Sequence, residues 1–171
     1  MTAAANPSSR ARDVRIRAAA LSDADAIACV INAAFVVERV AFDGDRVDVE
    51  GVRLLMNKGT FLVAEGEDES AGLAGCVYVE LRGERSYLGL LSVAPELQGT
   101  GLGRRLVVAA EDHVRTASCL AMDLRMISPR AQALVPFYER LGYTKTGTAP
   151  FPSDVRSKVP CHYVLMTKSL V

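Results

Sequence analysis

Residues 92–106, SVAPELQGTGLGRRL, carry glycines at every second position: Gly99, Gly101 and Gly103. Gln98 stands just before them, and Arg104 and Arg105 follow where the pattern predicts a helix to begin. Glycine lets a backbone turn tightly and approach a ligand with no Cβ in the way. Successive N–H groups then converge on one spot, and the N-terminus of the next helix adds partial positive charge there. The chemistry on offer is a phosphate cradle built mostly from backbone, with Arg104 and Arg105 able to contribute charge. Two common phosphate devices do not match. No lysine follows the glycines, as a GxxxxGK loop requires, and the spacing is not the GxGxxG of a dinucleotide fold. The turn also follows the fourth expected strand rather than the first.

The elements that must position this turn are read from hydrophobic periodicity. VRIRAA (14–19) predicts a first strand. LSDADAIACVINAAF predicts a helix with Ile27, Val30, Ile31, Ala34 and Phe35 on one face, capped by Ser22 and favoured at its start by Asp23 and Asp25. The polar DGDR leads to a second helix carrying Val49, Val52, Leu55 and Met56. GTFLVAE is a short buried strand that stops at the acidic turn GEDES. Residues 73–81 and 86–93 flank RGER as an antiparallel hairpin. After the glycines comes a helix with Leu106, Val107, Ala110, Val114 and Ala117 inward, then a strand at 120–127. PRAQALVPFYERLGY is a helix closed by Gly142. Pro136 inside it predicts either a late start near Ala133 or a bend. GYTKTGT and CHYVLMTKSL are the last strands. The helical crossover makes strands four and five parallel, and the hairpins are antiparallel. The class is α/β of an α+β-like kind.

At 171 residues the chain fits one domain, expected over 13–171 behind a flexible tail at 1–12. Twenty basic residues balance twenty acidic ones, so neither nucleic acid nor a membrane surface is an expected partner. No apolar run reaches the ~20 residues of a membrane span. The start lacks the apolar core of a signal peptide, which favours a cytoplasmic location. Cys29, Cys76, Cys119 and Cys161 are too far apart for a metal clip and read as buried, reduced thiols.

LLSVAPELQGTGLGRRLV resembles the acetyl-CoA-binding motif of the GNAT family of N-acetyltransferases, whose core reads Gln/Arg-x-x-Gly-x-Gly/Ala. FYERLGY (137–143) is similar to that family's second motif, and the element order matches from about Val14 to Lys168. The resemblance implies a GNAT fold: a mixed, mostly antiparallel sheet of about seven strands, with parallel strands four and five splayed, flanked by about four helices. It implies that Leu91, Ser92 and Val93 offer backbone groups to the pantetheine arm and acetyl carbonyl of acetyl-CoA. It implies that Gln98, Gly99, Thr100, Gly101, Leu102, Gly103 and Arg104 wrap the pyrophosphate, and that Tyr138 gives a proton to the departing thiolate. The activity implied is acetyl transfer from acetyl-CoA, without a metal, to a primary amine of a small molecule or peptide by direct attack on the thioester.

The chain departs from the family pattern in places. Family members often use a glutamate on strand four or late in strand five as base, where this chain has Tyr87 and Met126. His162, opening the last strand, is the candidate base, with Glu80 a weaker one and a water a third. An asparagine seven residues before the tyrosine is replaced by Ala131, preceded by Ser128 and Arg130. Glu38, Arg39, Asp43 and Arg46, in the connector between the first helices, are candidate acceptor contacts, or else a solvated loop. His113 receives no role. The competing reading is an acyl-CoA-binding sensor with little turnover. Edge strands offer a homodimer contact.

Overall fold

The computed structural model describes residues 14–66 and 69–171. The expected tail at 1–12, and Glu67 and Asp68 of the acidic turn, lie outside the described residues. Seven strands form one sheet: β1 (Arg15–Ala18), β2 (Thr60–Glu65), β3 (Leu73–Arg82), β4 (Arg85–Val93), β5 (Ala121–Ile127), β6 (Thr144–Pro150) and β7 (His162–Ser169). Their order is β1-β2-β3-β4-β5-β7-β6. Every pairing is antiparallel except β4 with β5. Four α-helices accompany it: α1 (Ala24–Ala34), α2 (Val49–Met56), α3 (Leu102–Thr116) and α4 (Ser128–Glu139). The sheet, its parallel seam and the four helices are as expected.

Consecutive buried residues in β2 (Phe61 to Ala64) and β3 (Ala74 to Val79) show that these strands are covered on both faces. Both α1 and α3 pack against β3 and β4. Ile27, Ile31, Leu102, Leu106, Val107 and Val114 are fully or nearly fully buried there, as the helical stripes predict.

Local details correct several expectations. Ser22 is exposed and caps nothing; it lies in a short 3₁₀ turn, Leu21–Asp23, ahead of α1. Asp23 does the work instead, accepting from the Ala20 N–H (2.7 Å) and pairing with Arg17 (2.8 Å). The Arg17 hydrogen bond holds the Asp23 carboxyl below the ordinary carboxylate range. Ala117 is exposed, because α3 ends at Thr116 and Ser118 turns the chain with φ 62°. Helix α4 begins at Ser128, with Pro129 in its first turn, so the late start near Ala133 is not adopted and Pro136 lies inside the helix. All four cysteines are free, but only Cys76 and Cys119 are buried. Cys29 falls on the outward face of α1 and Cys161 in the half-covered approach to β7.

Candidate functional site

The parallel seam is short. It pairs Arg85 with Ala121 through Leu88 with Leu124, and there it stops. Beyond that point β5 stays with β7 as far as Ile127 opposite Tyr163, while β4 stays with β3. The register of β4 slips on the way: Gly89 faces Tyr78 and Ser92 faces Cys76, leaving Leu90 and Leu91 opposite Val77. This is a β-bulge. Leu90 takes φ 51°, a left-handed conformation that costs a non-glycine residue ~1–2 kcal/mol. The Ser92 hydroxyl donates to the Leu90 carbonyl (3.0 Å) and helps to hold it. The closed end of the seam is fastened by Arg85, which donates to Asp123 at 2.7 and 2.5 Å, and by the Ser86 hydroxyl on the Ala121 carbonyl (3.1 Å). From Gly89 to Val93 one edge of β4 therefore has no partner strand.

The glycine turn follows directly. Gly99 and Gly101 adopt φ 77° and 89°, which only glycine takes readily. Thr100 donates to the Leu97 carbonyl (2.5 Å) and Gln98 to the Val93 carbonyl (3.2 Å), tying the turn to the end of β4. The first helical bond runs from the Arg105 N–H to the Gly101 carbonyl. Backbone N–H groups from Gly99 to Arg104 have no acceptor among the described residues. They form a nest at the start of α3. Gly103 is helical rather than left-handed; a Cβ there would lie 3.6 Å from the Phe137 ring and 3.7 Å from Val93. Its missing side chain opens the space between β4 and α4. Leu102 is buried, so only its backbone faces the turn. Arg104 is exposed, whereas Arg105 donates to the Val14 carbonyl (2.7 Å).

A cavity of about 640 Å³ opens at the splay, lined by Leu90 and Leu91 of β4, Met126 and Ile127 of β5, and Tyr138 of α4. Ser92, Val93 and the glycine turn are not among its lining residues. Two loops roof it, 35–46 and 151–161. Asn32 of α1 fixes the first by accepting from the N–H groups of Arg46 and Val47 (2.9 and 3.1 Å). Lys158 clamps the second to the first: its N–H donates to the Ala41 carbonyl (2.8 Å), and its ammonium reaches the Arg39 carbonyl (2.8 Å) and Asp43 (2.7 Å).

Tyr138 is only 6% exposed and sits edge-on against Phe137 (4.9 Å between centroids) and Tyr143 (5.6 Å). Its hydroxyl makes no hydrogen bond to the described residues, and because no fully buried side-chain polar atom among them lacks a partner, that oxygen keeps contact with the open cavity. Burial pushes its pKa well above that of a free phenol, so it is a neutral donor at pH 7. Behind it lies a network that the sequence reading missed. The Tyr143 hydroxyl donates to buried Glu111 (3.1 Å), which also takes two bonds from Lys168 (2.9 and 2.7 Å). The available signal was Glu111 falling on the inward stripe of α3, next to Ala110 and between Val107 and Val114.

Glu38 lines the cavity with a side chain only 13% exposed, 3.7 Å from Arg46. Burial pushes its pKa up, and Arg46 and Arg130 pull it partly back. Arg39, Asp43 and Arg46 line the same cavity. Glu80 does too, but it accepts from Arg82 (2.8 Å) and the Tyr78 hydroxyl (3.1 Å), and the Arg82 bond lowers its pKa. Tyr87 and Met126 also line the cavity. His162 is exposed, bonds through its backbone N–H to the Ser128 hydroxyl (3.1 Å), and is not a lining residue. Strand alternation turns Tyr163 inward in its stead. The structure thus brings Leu91, Tyr138, Glu38 and Glu80 to one cavity beside the glycine turn, and leaves His162 outside it. Among the described residues no cluster of three or more His, Cys, Asp or Glu could hold a metal, and no helix is long and apolar enough to cross a membrane.

The family described as the acetyltransferase (GNAT) domain matches residues 31–160. A curated protein, the 5-NmdU N-acetyltransferase of Pseudomonas phage PaMx11, is 35% identical over 94 residues, covering 53% of this chain and 61% of that protein. The matched stretch therefore spans less than two thirds of the relative. Ard1 of Thermoplasma volcanium superposes with a TM-score of 0.75 at 15% identity, covering 93% of this chain and 99% of the other. The yncA protein of Salmonella typhimurium, solved with its cofactor acetyl-CoA, gives a TM-score of 0.67 at 23% identity, with 93% of this chain and 95% of the other covered. At these identities the two structures speak for the fold.

Proposed function

The chain belongs to the acetyltransferase (GNAT) family, and from that premise we propose that it moves an acetyl group from acetyl-CoA to a primary amine of a small molecule or peptide. The observation that carries this reading is the N–H nest from Gly99 to Arg104, which has no acceptor among the described residues and is set beside a β4 edge that β5 has released. The residues fit the donor: the nest, with Arg104, suits a diphosphate, and the free amide edge from Leu91 to Val93 suits the pantetheine amides. When bound, acetyl-CoA supplies an acyl group activated as a thioester.

This chain's own groups then handle protons. The amine must be neutral to attack the thioester carbon directly, forming the N–C bond as the C–S bond breaks. Glu38, desolvated and lining the cavity, takes the proton from nitrogen. Tyr138, neutral and with no competing partner among the described residues, gives its proton to the departing sulfur, and the proton held by Glu38 returns to the phenolate through solvent. The products are the amide and the free thiol. Glu80 is a weaker base, because Arg82 already stabilises its charge. His162 would need a chain of waters to reach the cavity.

The test is thermal unfolding with acetyl-CoA, using ATP and NAD as controls. At 100 times its Kd the ligand adds ~2.7 kcal/mol, a rise of roughly 5–10 °C for a chain of this size. A rise with acetyl-CoA alone, followed by amine-dependent thiol release from a panel that includes 5-NmdU, supports the reading. No rise sinks it. Binding without release from any primary amine would instead make the chain an acyl-CoA sensor.

A further inference from the structure

The cavity has a wall that acetyl transfer alone does not require. It runs as a continuous contact series through six separate parts of the fold. Phe42 of the first loop packs on Phe151 (5.3 Å between centroids), and Phe151 on Tyr163 of β7 (5.1 Å). The Arg125 guanidinium of β5 lies 4.4 Å from the Tyr163 centroid and 5.9 Å from that of Tyr87 on β4. Arg82 of β3 lies 4.4 Å from the same Tyr87 ring. All six line the cavity. The Tyr87 ring is held close over Gly89, where a Cβ would sit 2.9 Å from it.

Charge is distributed unevenly along this lining. Its carboxylates each face a cation: Glu38 with Arg46 (3.7 Å), Asp43 with Lys158 (2.7 Å), Asp45 with Arg39 (3.4 Å) and Glu80 with Arg82 (2.8 Å). The Arg125 guanidinium has no ion-pair or hydrogen-bond partner among the described residues; it lies against the two rings. A guanidinium between aromatic groups keeps its N–H edge for a ligand and binds carboxylate or phosphate by a two-pronged contact. Ring faces and guanidinium planes in series offer stacking surface to a flat molecule.

We propose that the acceptor is a primary amine carried on a planar ring that also bears a carboxylate or phosphate, the ring stacking along this wall and the anion held by Arg125. The proposal rests on the acetyl-transfer reading for its reaction but not for its binding site, so the two can fail separately. The first measurement is kcat/KM for three amines: 4-(aminomethyl)benzoate, its neutral counterpart 4-(aminomethyl)benzamide, and the non-planar trans-4-(aminomethyl)cyclohexanecarboxylate. The benzoate is expected to exceed the amide by about tenfold and the cyclohexane by about threefold or more. Arg125→Gln should bring the benzoate-to-amide ratio close to one, and Arg125→Lys should restore part of it. Substituting 4-(aminomethyl)phenyl phosphate for the benzoate separates a phosphate preference from a carboxylate one. Equal rates for benzoate and amide, or a preference that survives Arg125→Gln, would overturn the proposal while leaving acetyl transfer standing. The second measurement needs no turnover: calorimetric binding of 4-methylbenzoate against 4-methylbenzamide. Benzoate binding that Arg125→Gln abolishes supports the site even if no amine is acetylated, and equal binding of both compounds overturns it.

Discussion

Tyr138 and Glu38 are tuned by the same cause, removal from water. Burial keeps the phenol protonated and so available as a donor, and it makes the carboxylate a stronger base by raising the pH at which it ionises. The groups facing Glu38 are Arg46 from its own loop, Arg130 from α4 and the Cys161 thiol ahead of β7. A base works only when ionised, so kcat/KM should fall as pH drops through a Glu38 pKa lying above the ordinary glutamate value. Glu38→Gln should erase that acidic limb and lower kcat/KM by roughly 10²-fold; a limb that persists in the variant assigns the base elsewhere. Tyr138 was legible because a sequence motif surrounds it. Glu38 was legible as a candidate acceptor contact but not as a base, since nothing local says how deeply 35–46 would bury it. His162 was placed on the right strand, but a pleat points neighbouring side chains to opposite faces, and Tyr163 holds the inward phase.

At the scale of elements, the glycines divide into two kinds. Gly99 and Gly101 are needed for their backbone angles, Gly103 for the space beside Val93 and Phe137. Gly101→Val should therefore cost ~1–2 kcal/mol of stability as well as acetyl-CoA affinity. Gly103→Ala is expected to do the opposite to the free protein. Its methyl has ordinary clearance, and a helical Gly-to-Ala change adds ~1 kcal/mol. Melting with and without acetyl-CoA checks this: the free variant should melt higher than wild type, yet gain less on adding the ligand. An undiminished gain would mean that Gly103 does not face the donor. Hydrophobic alternation made the strands and their order readable. It could not show the bulge, because LLSV reads as unbroken strand whether or not Leu90 turns left-handed. Between a late start near Ala133 and a helix that runs through Pro136 the sequence left the choice open; the favourable start at Ser128 and Pro129 and the buried Tyr138 outweigh one missing backbone bond.

Across the whole molecule, Glu111 and Lys168 join the helix that carries the glycine turn to the strand beside β5, with Tyr143 bonded to the same carboxylate and packed against Tyr138. Lys168→Met would leave Glu111, 3% exposed, with the neutral Tyr143 hydroxyl and, as its one cation among the described residues, Arg115 at 3.7 Å. Breaking a buried pair from one side costs about 3 kcal/mol, a fall in melting temperature of roughly 6–12 °C. A loss below ~1 kcal/mol would show that Arg115 takes over the charge. This pairing was hidden in the sequence because its partners lie far apart along the chain. The balanced net charge was easily read but said nothing of the uneven charge along the cavity. Acetyl transfer at the splayed seam is tested most directly by amine-dependent thiol release from acetyl-CoA, comparing wild type with Tyr138→Phe. The expected result is turnover by the wild type and a fall in kcat of ~10²-fold or more in the variant, with the acetyl-CoA requirement unchanged. No amine-dependent release, or equal kcat in the two proteins, would contradict it.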